Sequence, residues 1–217
     1  WYNRLRRPAV DWRAFADPYF ETLIDYYDSR GRDVWVLDLT TDLGIPVFAA
    51  VSRRRGDPED ILLGFGAHLD ARLALSRALT ELGQWYCTAA KADLRGAQYA
   101  ETLNWWNTAT VAARPYLAPH DRLPARGPGD FAAFESGDIS ETVRHCVNIA
   151  AQSDMETLAL DLTRPDTGIC VVRVVVPGLR HHWPRLAPGR LYDIPVRMGW
   201  RQESLSEDEL NPERSVF

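Results

Sequence analysis

Cysteine is scarce in this chain, and the few thiols present lie far apart in the sequence. Only Cys87, Cys146 and Cys170 occur, and they form no Cys-x-x-Cys pair. Thiols spaced in this way give neither a disulfide framework nor a zinc site, and they are typical of a reducing compartment. The sequence therefore predicts a cytoplasmic protein.

Long apolar runs are lacking too, as is an excess of basic residues. No apolar run reaches the length of a membrane span and no signal peptide is visible, so we expect no membrane partner. The formal net charge of -5 gives no reason to expect nucleic-acid binding. The first residue is Trp1 rather than methionine, which indicates that the chain begins inside a longer protein.

What the chain does contain is a composition typical of a globular domain. Hydrophobic residues make up 46% of the 217 residues, and the length fits one domain or a large part of one. Apolar periodicity and the positions of glycine and proline predict helices and strands along the chain. We expect helices at 18–29, 70–90, 99–113 and 140–153, and strands at 34–40, 45–52, 157–163 and 169–176.

A short repeat relates two of these regions. Leu37-Asp-Leu-Thr40, a turn and Gly44-Ile-Pro-Val47 match Leu160-Asp-Leu-Thr163, a turn and Gly168-Ile-Cys-Val171. Each copy follows a predicted helix, so we infer two helix–strand–strand units and an α+β fold, a mixed β-sheet with flanking helices. Chance similarity between two hairpins also explains the repeat. The nearly continuous apolar run of the last strand predicts burial on both of its faces.

The most distinctive stretch is residues 64–84. We expect Gly64-Phe65-Gly66 to form a turn, because glycine permits positive φ and the close approach of another group. Asp70 occupies an N-cap position, where its carboxylate suits the positive end of a helix. Small and apolar residues then recur at helical spacing and predict one buried face: Ala71, Ala74, Leu75, Ala78, Leu79 and Leu82.

The opposite face of this predicted helix carries a polar stripe. Arg77, Glu81 and Gln84 fall at i, i+4 and i+7, so a cation, an acid and an amide lie within reach of one another. Charged stripes of this kind are usually solvated, and one exposed Arg–Glu pair explains the pattern by itself. The alternative interpretation is a ligand-binding stripe, which needs evidence beyond periodicity.

The order of residues in this segment resembles a signature of a known family. Gly-x-Gly-Ala-His-x-Asp at 64–70, followed by Ala-Leu-x-Arg-Ala-Leu-Thr-Glu-x-x-Gln at 74–84, is similar to the third signature of YcaO-domain proteins. Residues 1–10, Trp-Tyr-Asn-Arg-Leu-Arg-Arg-Pro-Ala-Val, resemble the segment that follows the acidic ATP-site helix of that family. Residues 41–50, Thr-Asp-Leu-Gly-Ile-Pro-Val-Phe-Ala-Ala, resemble its strand before the signature.

The resemblance implies an enzyme that uses ATP and Mg²⁺ to modify a peptide backbone. Family members of the cyclodehydratase type convert Cys, Ser or Thr of a ribosomal precursor peptide into azolines, as in the biosynthesis of thiazole/oxazole-modified microcins. The implied partners are that peptide and a protein that binds its leader. The resemblance is also compatible with a homodimer. On this interpretation residues 1–217 are the C-terminal part of a single YcaO domain, whose ATP-site segment precedes Trp1.

The resemblance also assigns roles to individual residues. Glu81 would be a Mg²⁺ ligand or would orient one through water. Arg77 would contact phosphate, and Gln84 would bond phosphate or a metal-bound water. His68 would touch the nucleotide or the peptide, but a histidine at a turn that caps a helix explains its position equally well.

Two features depart from the family pattern. Most of the acidic ATP ligands would precede Trp1, and the tail after Asn211-Pro212 lacks the later prolines of the cyclodehydratases. Two alternatives therefore stay open. One is YcaO-type thioamide formation with a partner protein, which would use the same ATP site. The other is a non-catalytic scaffold that binds the precursor peptide, although such a scaffold has no need of the polar stripe.

Overall fold

The computed structural model describes residues 1–90, 100–181 and 187–214. These residues divide into two lobes. The first lobe comprises the described residues within 1–134 and 205–214, and the second lobe comprises those within 135–204. Both combine helices with strands, so the predicted α+β class is confirmed. That residues 1–217 are part of a single YcaO domain stays a prediction.

The first helix is delimited by its own sequence. Helix α1 spans Pro18–Ser29, as predicted. At its start the Asp17 carboxylate accepts a hydrogen bond from the Tyr19 amide, and proline at the first helical position has no N–H that needs a partner. After its end Gly31 adopts a φ of 69°, which suits a glycine at a helix terminus.

A three-stranded antiparallel sheet follows α1. Its strands are β1 (Arg32–Asp38), β2 (Val47–Arg54) and β3 (Leu62–Ala67), in the order β1-β2-β3. Trp35 lies opposite Val51 in the first pairing, and Ala49 lies opposite Phe65 in the second. Strands β1 and β2 are the two that the sequence predicted, each displaced by two residues, within the usual uncertainty of such boundaries.

Helix α2 (Ala71–Ala90) packs across β3 and closes the core of the first lobe. Its predicted apolar face is confirmed, since five of its six residues are fully buried and Ala71 is partly buried. Helix α3 (Ala100–Thr108) adds two buried tryptophans and is shorter than predicted; residue 99 of the prediction lies outside the described residues. The largest fully buried side chains of the lobe include Phe20, Tyr27, Phe48, Leu75, Leu79 and Leu82.

Strand β3 takes the place of the predicted glycine turn. Gly64 and Gly66 lie inside it, and neither is among the glycines of the described chain that have a positive φ. The prediction of a turn was therefore wrong, whereas the expected close approach is confirmed. A Cβ atom on Gly64 would lie 2.3 Å from the Ala78 carbonyl oxygen of α2. The glycines are needed because the helix backbone occupies the space of a side chain.

The second lobe contains the second predicted helix–strand–strand unit. Helix α4 (Ile139–Gln152) precedes strands β4 (Leu158–Asp161) and β5 (Val172–Val175), and helix α5 (Arg190–Arg197) follows them. Strands β4 and β5 pair antiparallel with each other, with Leu160 opposite Arg173. In the described residues they form a sheet of their own, so the prediction that both units share one mixed sheet was wrong. Consecutive strands joined by short turns pair antiparallel within their own unit.

Burial in the second lobe also differs from the prediction. All four residues of β5 are exposed. Helical spacing predicts that Val143, Val147, Ile149 and Ala150 of α4 face inward, yet Val143 and Val147 are exposed while Ala150 is buried. The expected burial of both β5 faces was therefore wrong for these residues, because a two-stranded hairpin has no further layer to cover it. Within the described ranges no helix combines the length and the apolarity that a membrane crossing requires.

Candidate functional site

The start of α2 is built from two side chains that satisfy backbone amides. The Asp70 carboxylate accepts hydrogen bonds from the amides of Arg72, at 2.7 Å, and Leu73, at 3.3 Å, so the predicted N-cap is confirmed. His68 Nδ1 accepts the Asp70 amide at 3.0 Å. In a neutral imidazole with an accepting Nδ1, the proton is on Nε2. His68 therefore caps the helix entry and keeps an N–H donor for another partner.

The polar stripe of α2 is bonded to the backbone of β3. The Glu81 carboxylate accepts a hydrogen bond from the Phe65 amide, and Arg77 Nη1 donates to the Ala67 carbonyl at 3.2 Å. Strand β3 pairs with β2 along its other edge, so both side chains occupy the edge that β2 leaves open. The expected pairing of Arg77 with Glu81 is absent among the described residues, where each side chain is bonded to the strand instead.

Three of the four predicted site residues are bonded to backbone groups around the end of β3. His68 bonds the Asp70 amide where α2 begins, whereas Arg77 bonds the Ala67 carbonyl and Glu81 bonds the Phe65 amide. Gln84 lies one turn further along α2 and is exposed. An acid, a guanidinium and an imidazole donor at one strand end form an arrangement suited to a phosphate group and its metal ion.

Comparisons with known proteins decide the family. A family model described as YcaO cyclodehydratase, ATP- and Mg²⁺-binding, matches residues 1–180. This chain belongs to the YcaO family. The resemblance found in residues 64–84 is therefore confirmed over residues 1–180.

Solved structures of YcaO-related proteins share the fold. A heterocyclase in complex with substrate and cofactor is 48% identical, with a TM-score of 0.93, and the heterocyclase TruD is 48% identical, with a TM-score of 0.91. Both matches cover 100% of this chain, which spans only 29% and 30% of those two chains. A YcaO from Methanopyrus kandleri bound with AMPPCP and Mg²⁺ matches 81% of this chain and 45% of its own, at 22% identity and a TM-score of 0.60.

The polar stripe of α2 suits a magnesium ion that takes most of its ligands from elsewhere. Among the described residues no group of three or more His, Cys, Asp or Glu side chains surrounds a common point. Mg²⁺ in nucleotide sites commonly has only one or two protein carboxylates and completes its octahedron with phosphate oxygens and water. Glu81, with one oxygen held by the Phe65 amide, could serve as one such carboxylate.

Sequence reasoning missed the backbone groups of this candidate site. The Phe65 amide and the Ala67 carbonyl hold the two charged side chains, yet a backbone group leaves no mark on residue type. The available signal was the glycine alternation at 64 and 66, which is also typical of a strand that another backbone approaches closely.

A second polar cluster of the first lobe joins the last described residues to the first. The Arg114 guanidinium donates two hydrogen bonds to the Glu213 carboxylate, at 2.8 and 2.5 Å, and Asn211 Nδ2 donates to the Tyr116 hydroxyl at 3.2 Å. The Trp1 indole donates to the Glu213 carbonyl at 2.6 Å. Burial raises the pKa of Tyr116 to about 12. These bonds fix residues 211–213 against the rest of the first lobe.

Proposed function

We propose that the protein containing this chain is an ATP- and Mg²⁺-dependent YcaO cyclodehydratase. Its substrate is a ribosomal precursor peptide, in which Cys, Ser or Thr residues become azolines. The observation that supports this most directly is the 48% identity, over the whole chain, to a heterocyclase solved in complex with substrate and cofactor.

The proposed reaction joins a side chain to the amide that precedes it. The Cys thiol, or the Ser or Thr hydroxyl, attacks the carbonyl carbon. A C–S or C–O bond forms, the proton of the thiol or hydroxyl is released, and the carbonyl oxygen becomes an oxyanion. ATP, when bound with Mg²⁺, supplies the phosphoryl group with which the former carbonyl oxygen leaves as phosphate. Loss of the amide proton completes the C=N bond. Such chemistry depends on charge neutralisation and positioning more than on a covalent nucleophile of the enzyme.

Glu81 is proposed as a Mg²⁺ ligand. One of its carboxylate oxygens accepts the Phe65 amide, which leaves the lone pairs of the second oxygen for the ion. A carboxylate that is already oriented loses less conformational freedom on binding than a free one. Its negative charge and hard oxygen match what Mg²⁺ prefers.

Arg77 is proposed to bind phosphate. Only one of its nitrogens, Nη1, donates to the Ala67 carbonyl, so further N–H donors of the guanidinium are available. A guanidinium binds phosphate oxygens in pairs of hydrogen bonds and remains charged at every physiological pH. The bond to Ala67 orients this fork, because the guanidinium is planar.

Gln84 and His68 complete the proposed site. The exposed amide of Gln84 can donate to a phosphate oxygen or accept from a metal-bound water. The Nε2–H of His68, left by the bond at Nδ1, can donate to phosphate or to a peptide carbonyl. Catalytic residues in the strict sense, which exchange protons with the peptide, remain unassigned.

We also propose the partners and the compartment. The precursor peptide and a leader-binding partner protein follow from the cyclodehydratase assignment, and a homodimer is compatible with it. Cys87, Cys146 and Cys170 are free and exposed, which favours a reducing cytoplasm. The two lobes would then be parts of one YcaO domain.

The decisive experiment is Glu81→Gln in the complete protein, assayed with ATP, Mg²⁺ and the precursor peptide. Glutamine keeps the shape and can still accept the Phe65 amide, so only the charge is lost. We expect ring formation, followed as loss of water by mass spectrometry, to fall by about a hundredfold or more. The thermal melt should barely change, since Glu81 is no part of the apolar core.

The matched control is Glu21→Gln, which removes an exposed carboxylate of α1 and should leave turnover unaltered. Wild-type turnover by Glu81→Gln would contradict the proposed nucleotide site. A product in which a backbone oxygen is replaced by sulfur would indicate thioamide formation instead of cyclodehydration. A peptide that is bound but never modified would indicate a scaffold.

A further inference from the structure

We infer that strand β3 positions the polar stripe of α2, which is part of the proposed nucleotide site. Gly64, Gly66 and the backbone amide of Phe65 are, on this inference, positioning residues for Glu81 and Arg77. The inference rests on the proposed function, because it takes Glu81 and Arg77 as the groups that bind Mg²⁺ and phosphate. It adds the elements that fix where those groups stand.

The first step of the argument is the distance between α2 and β3. A Cβ atom on Gly66 would lie 2.1 Å from the Ala74 carbonyl oxygen, 2.5 Å from the Ala78 nitrogen and 3.0 Å from Arg77 Cβ. Real Cβ atoms keep at least 3.0 Å from such atoms. A methyl group at this position therefore displaces the helix from the strand, at the very turn that carries Arg77.

The second step is the direction of the backbone groups. Residues 65 and 67 are two apart in a strand, so their N–H and C=O groups point to the same edge. Gly66 between them and Gly64 before them would direct their side chains to the face covered by α2. Strand β3 thus presents its open-edge amide and carbonyl beside the helix, while its glycines let the helix come close enough to use them.

The third step compares the rise of helix α2 with the rise of strand β3. Four residues of α-helix, from Arg77 to Glu81, rise about 6 Å. Two residues of strand, from Ala67 back to Phe65, span about 6.7 Å. The chain runs along β3 in one direction and returns along α2 in the other, so Arg77 meets Ala67 and Glu81 meets Phe65. Two side chains at i and i+4 are held at once by one strand edge.

The consequence for the site is preorganisation. Glu81 and Arg77 are each tied at one atom to a rigid strand, and their remaining oxygen and nitrogens are presented at a fixed spacing. Displacement of binding groups by about 1 Å is enough to cost about a hundredfold in a site of this kind. The glycines would therefore matter for ligand binding beyond their role in folding.

The test measures binding of AMPPCP with Mg²⁺ to the complete protein by calorimetry. Gly66→Ala should weaken this binding by about tenfold to a hundredfold in protein that still unfolds cooperatively. Gly83→Ala is the matched control, because Gly83 is in the same helix and a Cβ there meets nothing within 4 Å. It should bind as the wild type does.

A second variant removes only the hydrogen bond. Replacing Phe65 by phenyllactic acid turns its amide into an ester, keeps the ring, and removes the N–H that Glu81 accepts. We expect weaker binding of AMPPCP with Mg²⁺ here as well, by about tenfold. If Gly66→Ala does not fold, this variant decides by itself.

The outcomes separate this inference from the proposed function. Weakened binding in Glu81→Gln together with wild-type binding in the Phe65 ester would overturn the positioning role and leave the nucleotide site standing. Wild-type binding in Glu81→Gln would overturn the nucleotide site. Weakened binding in Glu81→Gln and in the ester, with Gly83→Ala unaffected, supports the inference.

Discussion

The two lobes contain the same helix–strand–strand pattern but bury it to different degrees. In the first lobe α1, β1 and β2 are followed by β3 and α2, and Val36, Phe48 and Val51 become fully buried. In the second lobe α4, β4 and β5 receive no third strand in the described residues, and Val172 and Val174 are each 59% exposed. Similar sequence patterns therefore produced similar local structure with opposite burial.

The difference shows that a strand's apolar composition indicates which side chains favour burial, and does not determine whether they are buried. Whether a face is buried depends on a second layer, which in the first lobe is α2 and in the second lobe is missing from the described residues. Contiguous exposed apolar patches are typical of regions that another structure covers. The contrast between the lobes is therefore open to experiment, by substitutions in both.

The largest expected effect comes from a pair of truncations, one in each lobe. Leu79 of α2 is fully buried, so Leu79→Ala removes core contacts and leaves a cavity, at a cost of about 2–5 kcal/mol in the free energy of unfolding. Val174→Ala, at an exposed position of β5, should change it by less than about 0.5 kcal/mol. Denaturant melts of both variants measure the difference. A large loss of unfolding free energy for Val174→Ala would mean that β5 is covered in the complete protein. The two lobes would then not differ in burial.

A smaller effect should appear in alkaline solution and concerns the interior of the first lobe. Tyrosine in an unfolded chain ionises near pH 10, whereas burial raises the pKa of Tyr116 to about 12. Between these values the unfolded state binds fewer protons, so the free energy of unfolding should fall as the pH rises, by about 1.4 kcal/mol per unit of pKa difference.

The control for this prediction is Tyr116→Phe, which removes the ionisable hydroxyl. Urea melts at several pH values above 9 should show a shallower loss of stability in this variant than in the wild type. Equal slopes would mean that water reaches Tyr116, and the first lobe would then be less closed at this end than its burial indicates.

The smallest effect should come from a buried hydroxyl of the first lobe. Tyr27 is only 1% exposed, and among the described residues its hydroxyl has no hydrogen-bond partner. Removing an unsatisfied buried group relieves a desolvation cost, so Tyr27→Phe should leave the free energy of unfolding unchanged or raise it by up to about 1 kcal/mol.

The comparison variant is Tyr116→Phe, which should lower the free energy of unfolding by about 1 kcal/mol near neutral pH, because the Tyr116 hydroxyl accepts a hydrogen bond from Asn211. A clear loss for Tyr27→Phe in thermal melts would reveal a partner for the Tyr27 hydroxyl.

Much of the site was predictable because it depends on local rules. The N-cap at Asp70, the bounds of α2 within one residue and its buried face all follow from side-chain chemistry and helical spacing. Residues 64–84 also carried the family resemblance. The bonds of Glu81 and Arg77 to β3 were not predictable in this way, because their partners are backbone atoms that every residue type shares.

By itself the sequence determined helices α1 to α4, the hairpin strands, the YcaO family and the positions of the polar stripe, whereas helix α5 was not predicted. Only the tertiary structure decided that Gly64 and Gly66 belong to a strand, that the two hairpins form separate sheets, and that β5 is exposed. The physical reason is that propensity and periodicity act between neighbours in the chain. Burial and strand pairing depend instead on which distant surface arrives, and a glycine is equally suited to a turn and to a close approach by a helix.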